Sequence, residues 1–441
     1  MSRVALVYPY FRTRAPTELL FAPLGVAYLA AQLQRAGIEA KVFDCTFSTF
    51  EQIQASLQAY QPDIVGIYCM VSLSRNTFRI AEMLRADLPD CLLVAGGPLP
   101  TLYPEHFNGP FDAVFRGEAD LSFPRFCRDF LSLESYSRRN GSDLPLDAYA
   151  GLFIHQGGLQ INNPPVHHPD KEIDSFPLPY RGDFDHAAYQ HESLLKDGSK
   201  TTSIITTHGC PYNCDFCSRP VFGSLFRRRS LDSVMDEIEQ IRQLGYDSLW
   251  IADDSFTLNL KYLKEFCQRM EGRNITWSCL SRVTGLNVEI PRLMKEAGCR
   301  KVYLGLETGS QETLQLMNKK ATLEEGIHAV QLFHEAGVEV AAFFIVGYPG
   351  ETVASIESTF RFSLTLPLDE ISFNVPFPLP GSKLFERVSE LDKNKDWDKE
   401  NEVTFVYNSE FDETWLRGRI EETMHAFAEK KKALTSIPPA G

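Results

Sequence analysis

The stretch THGCPYNCDFCSRP, residues 207–220, decides how the rest of the chain is read. It places Cys210, Cys214 and Cys217 within eight positions. Gly209, Pro211 and Asn213 make it a loop, since proline lacks a backbone donor and glycine and asparagine tolerate turn conformations. A curled loop lets thiolates four and three positions apart converge on one inorganic cluster. Iron–sulfur cubanes are held by cysteine thiolates at their corners. Three protein thiolates leave one iron open to a small molecule. A structural zinc site asks for four ligands, often two separated CxxC pairs. The chain has no second pair, which leaves His208 as the one argument for zinc.

Working outward, the loop follows a strand expected at SIITTHG (203–209). Further strands are expected at SLWIADD (248–254), TWSCLSR (276–282), KVYLGLE (301–307), VEVAAFFIVGYP (338–349) and EISFNVPF (370–377), with amphipathic helices between them. Six strands with intervening helices imply a partial β/α barrel, and such barrels place their chemistry at the carboxyl ends of the strands.

The first part of the chain shows the same alternation. Strands are expected at VALVYPY (4–10), EAKVFD (39–44), IVGIYCM (64–70), CLLVAGG (91–97) and within FDAVFRGEAD (111–120), with helices at 24–37, 51–60 and 75–87. That rhythm argues for an open parallel sheet covered on both faces. From about 135 to 200 the composition turns to proline and polar residues. GLFIHQGGLQI (151–161) reads as a hairpin turning at Gly157-Gly158. The remainder of that stretch reads as a connection across the surface.

The bulk properties narrow the function classes. The chain has 441 residues, is 44% hydrophobic and carries a formal net charge of −14. This is the composition of a globular protein with a sizeable core. The negative balance disfavours nucleic acid or anionic membrane as a partner. The one dense basic run is Arg227-Arg228-Arg229. No apolar run reaches the ~20 residues of a membrane span, and the N-terminus lacks a secretion signal, so the expected place is the cytoplasm. The other cysteines, Cys45, Cys69, Cys91, Cys127, Cys267, Cys279 and Cys299, show no paired spacing and read as small hydrophobes.

CPYNCDFC resembles the CxxxCxxC signature of radical S-adenosylmethionine (SAM) enzymes, with Phe216 as the aromatic before the third cysteine. The resemblance implies a [4Fe-4S] cluster on Cys210, Cys214 and Cys217. Its open iron would chelate SAM, which on one-electron reduction gives a 5′-deoxyadenosyl radical. An electron donor of the flavodoxin or ferredoxin type is then required. Relatives often carry arginine where this chain has His208, so that position is assigned no role.

Further pieces follow in strand order. Of the adjacent Asp253 and Asp254, one is expected at the SAM ammonium and the other at a helix cap or in solvent. Arg282 is a candidate for the SAM carboxylate, against a surface salt bridge. GLETGS (305–310) resembles the family's GLESGS and implies that Glu307 contacts SAM, while Ser310 reads equally as a helix N-cap. FFIVGYPGET (343–352) resembles the adenine-binding segment and points to Ile345, Val346 and Gly347. Ser230, after the arginine run, reads as an N-cap.

The first domain resembles the cobalamin-binding domain that precedes many radical SAM barrels. Carried over, Met70, Val71, Ser72, Leu73, Gly96, Gly97 and Pro98 would surround the corrin. No DxHxxG motif is present and the first histidine is His106, so cobalamin would bind without a histidine from the first loop. The expected class is therefore α/β. A Rossmann-like, flavodoxin-like parallel sheet domain (1–135) leads through a linker with a hairpin (136–200) to a partial (β/α)6 radical SAM barrel (201–385). A C-terminal helical segment (386–441) follows.

The leading function is cobalamin-dependent methylation of an unactivated carbon of a small molecule, natural-product-like in character. The alternatives are a non-methylating radical SAM enzyme for diol dehydration, rearrangement or cyclisation, with an empty cobalamin domain, and a non-catalytic cluster protein. Trp250, Tyr303, Phe373 and Asn374 on barrel strands are the substrate candidates, against a plain core role.

Overall fold

The computed structural model describes residues 3–12, 20–133, 144–156, 158–388, 405, 407 and 409–435. Its contacts divide the chain into two units, one of residues 1–204 and 219–246, the other of 205–218 and 247–441.

The first unit is built on a seven-stranded sheet. β1 (Arg3–Tyr8), β2 (Glu39–Asp44), β3 (Ile64–Tyr68), β4 (Leu92–Gly96) and β5 (Ala113–Phe115) run parallel in the order 2-1-3-4-5. This is the flavodoxin-like order, in which ligands bind beyond the carboxyl ends near β1 and β3. Alternation along the strands feeds two cores. Val4, Leu6, Ile64 and Val94 join Val26, Phe123 and Phe126 on one face. Ala5, Val7, Val65, Ile67, Leu93 and Ala95 join Ile80 and Leu84 on the other. Both faces are buried, which is why these strands read as continuous apolar runs.

Local signals set the helix ends. Phe50–Tyr60 starts at Thr49, whose hydroxyl accepts from Gln52 N at 3.3 Å while Gln52 Oε1 accepts from Thr49 N at 2.8 Å. This reciprocal box satisfies two donors that helical geometry leaves orphaned. The helix Leu24–Arg35 stops before Gly37, which takes a left-handed φ of 76°.

The hairpin forms, with β6 (Leu152–Gln156) antiparallel to β7 (Leu159–Asn162). Gly158 has a φ of 82°, and Gly157 lies outside the described residues. The hairpin does not merely cross the surface, because β6 also pairs antiparallel with β5 and so extends the first sheet. The free edge of β5 is covered in this way, as sheet edges generally must be.

Residues 219–246 are bound into the same unit by buried ion pairs. Glu237 is fully buried and accepts from Arg181 Nη2 at 2.7 Å and Arg229 Nη1 at 2.5 Å. Arg227 Nη1 pairs with Glu118 at 2.5 Å, both side chains being buried. Two of the three arginines in the basic run are thus interior. Ser230 caps the helix Leu231–Gln243, accepting from Ser233 N.

The second unit holds five parallel strands, β11 (Ser248–Ile251), β12 (Thr276–Ser281), β13 (Cys299–Glu307), β14 (Glu339–Ile345) and β15 (Glu370–Asn374), in sequence order. With β8 (Thr201–Ile204) they make the six long strands expected; β9 (Thr207–His208) and β10 (Arg227–Arg228) are two residues each. Helices close one face of the five strands, where Leu249, Trp277, Val302, Val340 and Phe344 are buried. The C-terminal helix Glu413–Thr435 packs on the helix Val353–Thr365, where Arg419 grips Glu357 with two bonds of 2.7 and 2.8 Å. Of the C-terminal segment, 389–404, 406, 408 and 436–441 lie outside the described residues. Among the described residues no helix is long and apolar enough to cross a membrane.

Candidate functional site: the thiol loop and the strand ends around it

The loop 209–218 carries three thiols of graded exposure: Cys214 buried, Cys210 half-buried and Cys217 exposed. Gly209 has a φ of 79°, which bends the chain sharply after β9. The root of the loop is fixed by Asp253. Its carboxylate accepts from Thr206 N at 2.7 Å, Thr206 Oγ1 at 2.6 Å and Thr207 Oγ1 at 2.7 Å. Burial pushes the Asp253 carboxyl up from its ordinary value, and these donors work against the rise. The neighbouring Asp254 is exposed; both aspartates lie beyond β11, which ends at Ile251.

Arg282, just beyond β12, clamps the loop. Its Nη1 lies 3.6 Å from Cys214 Sγ, and its guanidinium stacks 3.5 Å above the Tyr212 ring. Its Nη2 donates to the backbone carbonyls of Lys319 and Lys320. It is no surface salt bridge, for the side chain is buried.

The turn Met317–Lys320 completes the clamp. Asp215 N donates to Met317 O at 2.9 Å, and Asn318 Nδ2 donates to Asn213 O at 2.7 Å. Asn318 and Lys320 take left-handed φ values of 52° and 54°. Such a turn lets one short segment present several carbonyls to Arg282 and the loop.

Glu307 ends β13 with a φ of 67°, uncommon for a residue with a side chain. A register shift in the β13–β14 pairing falls at the same place. The carboxylate turns back over Gly305 and pairs with Lys319 Nζ, both side chains being buried. A Cβ on Gly305 would run into that pair, coming within 2.7 Å of Lys319 Nζ. The glycine is therefore a spatial requirement. Ser310 does cap the following helix, accepting from Thr313 N.

The segment after β14 divides by face. Ile345 and Phe216 both pack on Met317, Tyr348 and Leu384, which draws the expected adenine segment to the aromatic of the thiol loop. Val346 points away into a core with Ile356, Phe360 and Phe405. Gly347 has a φ of 82°, and its N–H and that of Tyr348 both donate to Glu351 Oε2, at 2.9 and 2.8 Å. Burial raises the Glu351 carboxyl above its ordinary value.

Among the substrate candidates, Trp250, Tyr303 and Asn374 lie on the face of the sheet opposite the helix-covered one. Trp250 meets Tyr303 edge-on at 5.0 Å, and Tyr303 stacks on Phe343 at 5.7 Å. Phe373 is on the other face, packed against Phe344 and Phe360 at 5.3 and 5.1 Å. Strand alternation separates it from its neighbour Asn374.

In the first unit, Met70 is exposed and Val71–Leu73 form a turn of 3-10 helix after β3, with Leu73 buried. The loop after β4 is stitched to it, Cys69 N donating to Gly96 O at 2.8 Å and Leu99 N to Cys69 O at 3.2 Å. Gly97 has a φ of 106°, and a Cβ there would stand 2.8 Å from Cys69 O. Pro98 opens the helix Pro98–Leu102. His106 is held among Phe78, Tyr103 and Phe107, and burial lowers its imidazole pKa.

Sequence reading missed Tyr212, Asn318, Lys319 and Glu351. Tyr212 sits inside the cysteine motif, and MNKK is a polar turn directly after the helix opened by GLETGS; those positions were the available signals.

Among the described residues no three His, Cys, Asp or Glu side chains are gathered tightly enough to hold a single metal ion. The three thiols share one loop, and a cubane is bound by thiolates at separate corners. The donor set, three thiols on a loop braced by a guanidinium, fits such a cluster. After β4, Gly96 and Gly97 leave bare backbone beside the turn Val71–Leu73, and bare backbone of that kind suits the close approach of a large flat ligand.

Comparison with known proteins bears on both units. Residues 204–363 match the family model of the Radical SAM superfamily, and residues 14–126 match the B12 binding domain. The chain is 31% identical over 373 residues to an uncharacterized methyltransferase, PH0819, of Pyrococcus horikoshii, covering 82% of this chain and 78% of that one. It is 27% identical to the anaerobic magnesium-protoporphyrin IX monomethyl ester cyclase of Rubrivivax gelatinosus, over 91% of this chain and 73% of the relative. Among solved structures, the radical SAM methyltransferase TsrM from Kitasatospora setae, with cobalamin and [4Fe-4S] cluster bound, superposes with a TM-score of 0.71. That match has 20% identity and covers 88% of this chain and 75% of that one.

Proposed function

Because this chain belongs to the radical SAM superfamily and carries a B12-binding domain ahead of its barrel, we infer that it is a cobalamin-dependent methyltransferase acting on carbon of a small molecule. The observation that carries the reading is the clamp of Arg282 and residues 317–320 on the thiol loop, with the Glu307–Lys319 pair in the same assembly. When bound, the [4Fe-4S] cluster and SAM supply a 5′-deoxyadenosyl radical, and cobalamin supplies the methyl group.

The chain's own residues do the holding. Cys210, Cys214 and Cys217 ligate the cluster, and Arg282 donates to the sulfur of Cys214. Asp253 fixes Thr206 and Thr207 so that the loop keeps its position without SAM. Phe216, Glu307, Ile345 and Gly347 receive SAM, with Val346 supporting Ile345 and Gly347 from the core and Asp254 at the exposed rim. Met70, Val71, Ser72, Leu73, Gly96, Gly97 and Pro98 receive cobalamin. Trp250, Tyr303 and Asn374 offer a largely aromatic surface to the substrate, which keeps water from a reactive radical. A flavodoxin- or ferredoxin-type protein delivers the electron.

The test is anaerobic reconstitution with iron, sulfide and hydroxocobalamin, then reduction in the presence of SAM labelled in its methyl group. Formation of 5′-deoxyadenosine, with transfer of label to the bound cobalamin, is expected. A protein fully loaded with both cofactors that forms neither product refutes the reading. A second reading, cyclisation without methylation, is favoured by the likeness to the cyclase over 91% of the chain. It predicts 5′-deoxyadenosine alone, with no label transfer.

A further inference from the structure

We propose that Arg282 is the counter-ion of the cluster: its charge, unmatched within the chain, offsets the negative charge of the thiolate-held cubane and raises the potential at which the cubane accepts an electron. This rests on the reading that Cys210, Cys214 and Cys217 ligate a [4Fe-4S] cluster.

Among the described residues the buried arginine and lysine side chains are Arg181, Arg227, Arg229, Arg282 and Lys319. All but one meet a carboxylate. Arg181 and Arg229 pair with Glu237 at 2.7 and 2.5 Å, Arg227 with Glu118 at 2.5 Å, and Lys319 with Glu307. Arg282 is the exception, with no acidic partner among the described residues. Its Nη1 lies 3.6 Å from Cys214 Sγ, its Nη2 donates to the carbonyls of Lys319 and Lys320, and its plane stacks on Tyr212. Its Nε is buried and has no partner. An unmatched buried charge is costly. A fold that pairs its other buried cations holds this one for an anion that the chain's carboxylates do not supply.

The contact with Cys214 says which anion that is. A cubane core of formal charge plus two, held by three thiolates, carries one net negative charge, and two once it has taken an electron. That electron comes from the flavodoxin- or ferredoxin-type donor, and no proton or covalent bond moves in the step. A fixed cation beside the cluster favours the more negative state, and net charge and hydrogen bonds to the sulfurs are what set such potentials. The Nη1–Sγ contact adds a donor to a ligating sulfur and acts in the same direction. Burial shields the guanidinium from screening by salt. The unpartnered Nε is a donor for a group on or beside the cluster, and the charge bears on the cluster whichever group that is.

The experiment is a redox titration of anaerobically reconstituted protein without SAM, the reduced cluster being followed by electron paramagnetic resonance. Iron and sulfide content is matched between variants. A unit charge a few ångströms away, at an effective dielectric of about 20, moves a one-electron equilibrium by about 10- to 100-fold, or about 60–120 mV. Arg282→Gln is expected to lower the midpoint by that amount. Arg282→Lys, which keeps the charge and loses the fork, should stay within about 3-fold of wild type, or about 30 mV. Equal shifts in the two variants would mark a bracing role alone and overturn the proposal. Where Arg282→Gln does not hold a cluster, Arg282→Met takes its place. Loss of the cluster from both neutral variants but not from Arg282→Lys supports the counter-ion, and loss from all three overturns it. A neutral variant whose midpoint stays within about 3-fold of wild type overturns the proposal. That holds even if a shift appears once SAM is added, because the charge then serves the nucleotide. A wild type that takes up no cluster overturns instead the reading on which the proposal rests.

Discussion

Replacing Glu237 by glutamine tests the buried pairing that binds residues 219–246 into the first unit. The carboxylate is fully buried and accepts from Arg181 at 2.7 Å, from Arg229 at 2.5 Å and from Tyr28 Oη at 3.2 Å. Neutralising it strands two guanidinium charges that are themselves almost inaccessible. Breaking a buried pair in this way costs about 3–5 kcal/mol. For a unit of about 150–250 residues each kcal/mol moves the midpoint by about 2–4 °C, so the expected loss is about 6–20 °C. The assay is a thermal ramp on the full chain, read by hydrogen exchange in peptides from β1 to β5, so that the transition belongs to the first unit.

The pH dependence has a definite sign. Burial pushes the Glu237 carboxyl up, but Arg229 and Arg181 together hold it below its ordinary value. A carboxyl lowered on folding contributes stability above its unfolded pKa, about 4.3, and loses it as the pH falls through the folded value. The gap between wild type and Glu237→Gln should thus be constant from pH 6 to 8 and shrink below about pH 4. Replacing Arg181 and Arg229 by Met together with Glu237 by Leu removes all the charges at once, and should recover most of the loss. A Glu237→Gln midpoint within about 2 °C of wild type refutes the reasoning, since it is less than the shift for one kcal/mol. So does a triple variant weaker than the single one.

Two further outcomes follow from local geometry. Gly97→Ala forces a side chain into a left-handed conformation 2.8 Å from Cys69 O. A strain of about 1–3 kcal/mol weakens cobalamin uptake about 5- to 150-fold if it falls on the bound state; absorbance of the reconstituted protein reads this, and uptake equal to wild type counts against the loop assignment. Arg282→Lys keeps the charge but loses the stack on Tyr212 and the fork that spans Cys214 and the 319–320 carbonyls. The loss of about 1.5–3 kcal/mol should show as faster release of cluster iron to a chelator, and an unchanged release rate contradicts the clamp.

Much of this was legible without coordinates. The strands of both units sit where apolar runs and turn residues placed them, and Ser230 and Ser310 cap the helices they precede. Asp253 is buried and Asp254 exposed, though which of the two adjacent carboxylates turns inward is not readable from the sequence. The sequence offers Phe373 and Asn374 alike as pocket candidates, and the pleat puts them on different faces. The hairpin is legible at 151–161, yet its partner β5 is not, because an edge strand carries no mark of what it will pair with.

What the sequence by itself determined is whatever repeats locally: periodicity, caps, turns and the spacing of three thiols. These depend on residues a few positions apart, and the physics that reads them is short-ranged. Only the tertiary structure decided which charges meet. Glu237 with Arg181, Arg227 with Glu118 and Arg282 with Cys214 are separated by 56, 109 and 68 positions. A buried charge needs a partner, but nothing in its neighbours along the chain names that partner. It is chosen when the sheets close and desolvation makes every unmatched charge costly.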